Sequence, residues 1–302
     1  MTNGSKLDAF IQEIDVSGWD NLPPDKRLEI LQRFENVMAE SEQRDALKIN
    51  VISEEEYRKS PGTMGYFDGK SININPRFLI GKGMVAGTIS NFSIAKALGT
   101  IAHEGRHAWQ HYVVDHPEKN IVDEKTRNKI MMNIVMYCSP SDDEDEPLLD
   151  ISHTLYEAQL IELDARRFQK QVLQYISQKM EEKKGVKDRT FEHAVRQCIA
   201  RERNETVRLL KYFEESDLAE LEQSFKESFK KQTGIDAFDD PELSMFDDAL
   251  EFLRTKDQYS FVEGKPIQKV CGYSEKEKID SFKERDTLNK PRVRYRGTKK
   301  FK

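Results

Sequence analysis

Between Ser93 and Val114 the apolar residues return with the period of an α-helix, and two histidines four positions apart fall on the side they leave open. Each helical step turns the chain by about 100°, so the residues around "TIAHEGRHAWQHY", Thr100 to Tyr112, sort by face. With His103 as origin, Ile94, Ala97, Leu98, Ile101, Ala108, Trp109 and Tyr112 gather between roughly 120° and 240°. Gly99, Thr100, His103, His107 and Gln110 gather opposite them. A solvated face would be dominated by Lys and Glu, and this one is not. The pattern predicts a helix buried along one side that keeps its histidines for chemistry.

Imidazoles at i and i+4 can share one tetrahedral zinc ion, because successive turns bring their nitrogens together. Glu104, a further 100° round, then stands beside the metal, where it can take a proton from a water activated there. Glu104 is therefore the candidate general base, and His103 and His107 are candidate ligands of Zn2+. Gly105 costs about 1 kcal/mol relative to Ala inside a helix. Either a close approach of backbone or substrate beside the base requires it, or the site tolerates it.

Two histidines leave zinc one protein ligand short. In the long pattern HExxHxxGxxH the third histidine would stand at Val113 and the glycine at Gln110, so that class is excluded. His111 follows His107 on the same helix, and three ligands on consecutive turns of one straight helix do not converge on an ion. His116, His153 and His193 read as ordinary surface or capping residues. A carboxylate from a later helix is the remaining solution, and "YEAQLIELDARRF" offers Glu157, Glu162 and Asp164. If Asp150 to Lys184 is one helix, Glu162 lies inside the apolar arc of Leu155, Ile161, Ala165, Val172 and Leu173. Glu157 lies at the edge of that arc and Asp164 outside it. A carboxylate among core-facing residues is expensive unless it is paired or metal-bound. Glu162 is favoured, with Glu157 in reserve.

The order His103-Glu104-x-x-His107, then Glu162-Leu-Asp-Ala-Arg-Arg-Phe168, resembles the gluzincin branch of the zincin metallopeptidases, in particular the compact ImmA/IrrE-like domains. The resemblance covers roughly residues 25 to 175. It implies a zincin-like core, a glutamate as third zinc ligand, hydrolysis of peptide bonds and a protein or peptide substrate. The 55 residues from His107 to Glu162 exceed the interval usual in compact members. The resemblance also gives "GYFDGKSININ" a role as the strand that borders the cleft and pairs with an extended peptide. The alternative is a plain edge hairpin. Asp164 could orient a ligating histidine, or pair with Arg166 or Arg167. Tyr156 and His153 are candidates to steady the oxyanion.

Around this helix the pattern predicts an α+β fold that is predominantly helical. Leu28, Leu31, Phe34 and Met38 mark a helix from Pro24 to about Ala46, and "INVIS" a short strand. Asp68-Gly69 between two extended runs signals a hairpin, giving a small antiparallel sheet beside the histidine helix. Further helices are expected in "DEKTRNKIMMNIVMYC", from Asp150 to Lys184, once or twice between Thr190 and Lys231, and in "PELSMFDDALEFLRT". The acidic run "SPSDDEDEP" reads as a loop. Gly185 marks the expected boundary between a zincin-like domain, 1–185, and a helical C-terminal region with a basic tail, 186–302.

Charged residues make up 34% of the 302 and both signs are mixed, which suits a soluble, helix-rich chain. Cys138, Cys198 and Cys271 are odd in number and in no CxxC spacing, so reduced thiols are expected. No signal peptide or membrane-length apolar run is present, which points to the cytoplasm or to export by a route that reads no cleavable signal. Seven Lys or Arg among the last thirteen residues, with Tyr295 and Phe301, could meet nucleic acid, but most such tails are simply solvated. No feature sets an oligomeric state. The rival to a zinc peptidase is an interaction or regulatory protein working through its helices after Gly185, and zinc content separates the two.

Overall fold

The computed structural model describes residues 4–259 except 15, 83, 86–87, 139–145, 186, 238–239 and 241. Most of the acidic run, the basic tail and Cys271 lie outside the described residues. Eleven α-helices and five short strands are found among those described, so the chain is predominantly helical with a small sheet. No described helix is long and apolar enough to cross a membrane.

The chain forms two compact units, Met1–Asp115 with Asp164–Arg201, and His116–Leu163 with Glu202–Lys302. This division differs from the single break read at Gly185. Gly185 does interrupt the helices, with φ +71°, but Met180 before it and Phe191 after it are buried in one core cluster. A helix end is a local event, while a unit is defined by what its apolar faces share.

In the first unit, α1 (Gly4–Glu13) precedes α2 (Pro24–Ser41), whose Leu31, Phe34 and Met38 are buried at helical spacing. Strand β1 (Lys48–Val51) is followed by α3 (Glu54–Lys59), which opens on a capping box between Ser53 and Glu56. The hairpin β2 (Gly65–Phe67) and β3 (Ser71–Ile74) then completes a sheet of order β1-β3-β2. The sheet is mixed where an antiparallel one was expected: β2 and β3 are antiparallel, but β1 lies parallel to β3, with Ile49 opposite Ile72. The intervening α3 and β2 supply the crossover that a parallel pair needs.

Because β3 is central, it is buried on both faces. Ile72 and Ile74 enter the core, while Asn73 and Asn75 are satisfied internally, donating to Asp68 Oδ2 at 3.0 Å and to the Thr63 carbonyl at 2.7 Å. At the turn, Gly69 takes φ +88° and Asp68 accepts from the backbone of Lys70 and Ser71. Burial raises the Asp68 carboxyl, but these bonds and those from Asn73 and the Ser71 hydroxyl together outweigh it and lower its pKa.

Beyond a helical turn, α4 (Arg77–Ile80), and a second hairpin, β4 (Met84–Val85) and β5 (Thr88–Ile89), runs the histidine helix α5 (Ile94–Asp115). The second unit contributes α6 (Glu124–Val135) and α7 (Glu146–Ala158). Helix α8 (Leu160–Lys184) is in the first unit from Asp164 on, and α9 (Arg189–Tyr212) up to Arg201. Helices α10 (Glu215–Thr233) and α11 (Asp247–Tyr259) complete the second unit around Leu218, Phe225, Phe229 and Phe246.

The expected single helix from Asp150 to Lys184 is in fact two, broken at Gln159. The Gln159 side chain accepts from the Cys138 N–H and donates to the Cys138 carbonyl, both at 2.9 Å. Its own carbonyl accepts from Leu163 N–H, and the Leu160 N–H leaves the helical ladder for the Met245 carbonyl. Gln159 thus caps α8 and starts its rotation afresh, so faces read across the break do not carry over.

Candidate metal centre

Helix α5 is more enclosed than its sequence suggested. Gly99, Thr100 and Gln110, on the histidine side, are buried along with the apolar residues opposite. Glycines make this possible at two points. A Cβ on Gly99 would come within 3.0 Å of Gln169 Nε2 and 3.1 Å of Leu173 Cδ1, so Gly99 admits α8. A Cβ on Gly105 would stand 2.7 Å from Arg44 Nη2, so the close approach there is that of a buried arginine and not of a substrate.

The histidines converge. His103 Nε2 and His107 Nε2 are 3.2 Å apart, with the rings edge to face at 4.8 Å between centroids. Two nitrogens bound at about 2.0–2.1 Å in a tetrahedron are separated by about 3.3–3.4 Å, so the pair is already at ligand spacing. His103, His107 and Glu162 form the one group of three potential metal ligands among the described residues, with donor atoms within 4.8 Å of one another. Glu162 is in the first turn of α8, continuous with the helix body from Asp164 onward, and is 1% exposed. Glu157 is elsewhere engaged: on α7, its Oε2 accepts from Arg208 Nη1 at 3.1 Å. Two imidazoles and a carboxylate are the donor set of a catalytic zinc site, which keeps a further position for water or substrate.

Glu104 faces the sheet. Its Oε2 accepts the Phe67 N–H of β2 at 3.0 Å. The approach depends on Gly65, where a Cβ would meet Thr100 Cγ2 at 2.6 Å and the Asn73 carbonyl at 2.9 Å. His111 does not join the ligand group; it packs edge-on against Phe67 at 5.4 Å, and burial, then the neighbouring His107, lowers its pKa. His116, His153 and His193 are also outside the group. His153 is exposed on α7, and Tyr156 lies edge-on to Tyr137 at 5.8 Å.

Three residues at the centre escaped the sequence reading of roles. Tyr137 donates its hydroxyl to Glu162 Oε1 at 2.8 Å, and burial, then Glu162 and Tyr156, raise its pKa. It had been counted into the tail of the preceding helix, and nothing in its spacing marks it. Gln110 places Oε1 2.9 Å from His107 Nδ1 and donates from Nε2 to Asp164 Oδ2 at 2.8 Å. Arg106 holds the same carboxylate, at 2.8 Å from Nε and 3.1 Å from Nη2. Its Nη1 continues to Glu42 Oε1 at 3.3 Å; Arg44 links Glu42 Oε2 at 2.9 Å to Glu35 at 2.6 Å. Burial pushes the Glu42 carboxyl up to about 7 against the pull of Arg44 and Arg106. Arg106 also lies over the Trp109 ring, 3.6 Å from its centroid.

No family model, curated protein or solved structure matches the chain.

Proposed function

We propose that the chain is a zinc-dependent metallopeptidase with a zincin-like core, in which His103, His107 and Glu162 hold the ion and Glu104 is the general base. The observation that carries this reading is the convergence of two imidazoles and one buried carboxylate, with Glu104 next to His103. Bound zinc supplies Lewis acidity, which polarises a peptide carbonyl and acidifies water. Glu104 accepts the proton of the attacking water and returns it to the leaving amine as the C–N bond breaks. The Phe67 N–H holds Glu104 Oε2, leaving Oε1 to handle the proton. Tyr137 steadies Glu162 by donating its hydroxyl to Oε1. The substrate is a protein or peptide in extended form beside β2, one of the two edge strands of its sheet.

Metal analysis and peptide turnover test this together. Wild type and Glu157→Ala should carry one zinc per chain and Glu162→Ala should lose it. Glu104→Gln should keep zinc while turnover falls about 10²–10⁴-fold. A Glu104→Gln protein that cleaves at the wild-type rate, or a wild type that takes up no zinc, ends this reading.

A further inference from the structure

Arg106, at one of the two unspecified positions of the histidine motif, belongs to a continuous polar chain, and the end of that chain at His107 has a direction. An ionised carboxylate only accepts hydrogen bonds, and Asp164 already receives the Arg106 guanidinium. The Gln110 amide must therefore present its NH2 to Asp164 and its oxygen to His107. An amide oxygen is also only an acceptor, so His107 Nδ1 must carry the hydrogen. In the neutral ring the lone pair then belongs to Nε2, the nitrogen 3.2 Å from His103 Nε2.

We propose that Gln110 and Asp164 are positioning residues that set His107 as the Nδ1–H tautomer, so that its Nε2 is ready as a ligand before any ion arrives. The metal part of this inference rests on the zinc reading above; the tautomer does not. Rotation of the Gln110 amide would set its NH2 against the ring N–H and its oxygen against the Asp164 carboxylate. Arg106 prevents Asp164 from swinging away, since it grips both carboxylate oxygens and is itself anchored to Glu42. Asp164 thus acts on His107 through one intervening side chain.

The test uses the full chain, stripped of metal, with histidine ring nitrogens labelled. Long-range ¹H–¹⁵N spectra at alkaline pH read the His107 tautomer directly, and competition with a chromophoric chelator reads zinc affinity. Wild type should show His107 as Nδ1–H. Gln110→Leu should become a tautomer mixture and bind zinc about 10–100-fold more weakly, the usual effect of losing a ligand's outer partner. Asp164→Asn, which preserves volume, should shift the tautomer in the same direction with a smaller affinity loss, and it carries the test if melting curves show that Gln110→Leu does not fold. Wild-type tautomer in both variants overturns the proposal, as does an Nε2–H ring in the wild type. A wild type that is Nδ1–H at His107 but binds no zinc defeats the metal reading and leaves this inference standing.

Discussion

In the first unit Arg44 meets Glu35 with side chains 1% and 0% exposed, whereas in the second Arg254 meets Glu215 with side chains 57% and 48% exposed. The same two chemical groups are paired, and their energetic meaning differs. A surface pair contributes about 0–1 kcal/mol, because water screens it and two long side chains must be ordered. Removing one member of a buried pair costs about 3–5 kcal/mol, because a charge is left without water or partner. The chain from buried Glu35, Arg44 and Glu42 through Arg106 to the partly exposed Asp164 joins α2, α5 and α8 beside His107. In the second unit Lys226 and Glu222 pair across successive turns of α10 and reach the Asp240 carbonyl and the Ser244 hydroxyl before α11. The buried network fixes how helices align; the exposed pairs decorate helices aligned by their apolar faces.

The contrast can be broken by measurement. Arg44→Ala should lose about 3–5 kcal/mol of unfolding free energy in urea titrations, and a loss below 1 kcal/mol would make the buried chain incidental. Gly105→Ala sets about 1 kcal/mol of helix propensity against displacement of Arg44, and crowding wins. Its net loss should be about 1–2 kcal/mol by the same titration; a stabilised variant would mean that the arginine moves aside without penalty. Arg254→Ala should cost at most about 1 kcal/mol, and an effect as large as that of Arg44→Ala would erase the distinction between the two kinds of pair.

The histidine helix was legible because it is periodic: His103, Glu104 and His107 are fixed to one another by the helical repeat alone. Glu162 was legible for a weaker reason. Its place among Ile161, Ala165 and Val172 follows from α8 itself, but the comparison with Leu155 crossed the break at Gln159 and carried no information. Helix propensity gave no sign of that break, since its cause is a side-chain amide paired with Cys138, distant in sequence. The parallel partner of β3 was hidden for a similar reason: hairpins are announced by their turns, and β1 joins across an intervening helix and strand. Arg106 within the motif and Gln110 three residues after it sat in plain view. Their partners, Glu42 and Asp164, come from separate helices, so only the assembled fold reveals what they do.

The first unit's core is discontinuous along the chain. Val172, Leu173, Ile176, Met180, Phe191 and Ala194 complete the cluster begun by Phe10, Leu31, Ile72 and Leu98. During synthesis the N-terminal portion emerges first but lacks these residues, and Asp164 with them, until translation has passed the inserted segment His116–Leu163. The histidine helix can meet α2 and the sheet as soon as it is made, but Gln169 and Leu173 of α8, which lie against Gly99, come only later. A nascent chain stopped before α8 has neither Glu162 nor Asp164. Neither the group of His103, His107 and Glu162 nor the Arg106–Asp164 pair can assemble until α8 has been made.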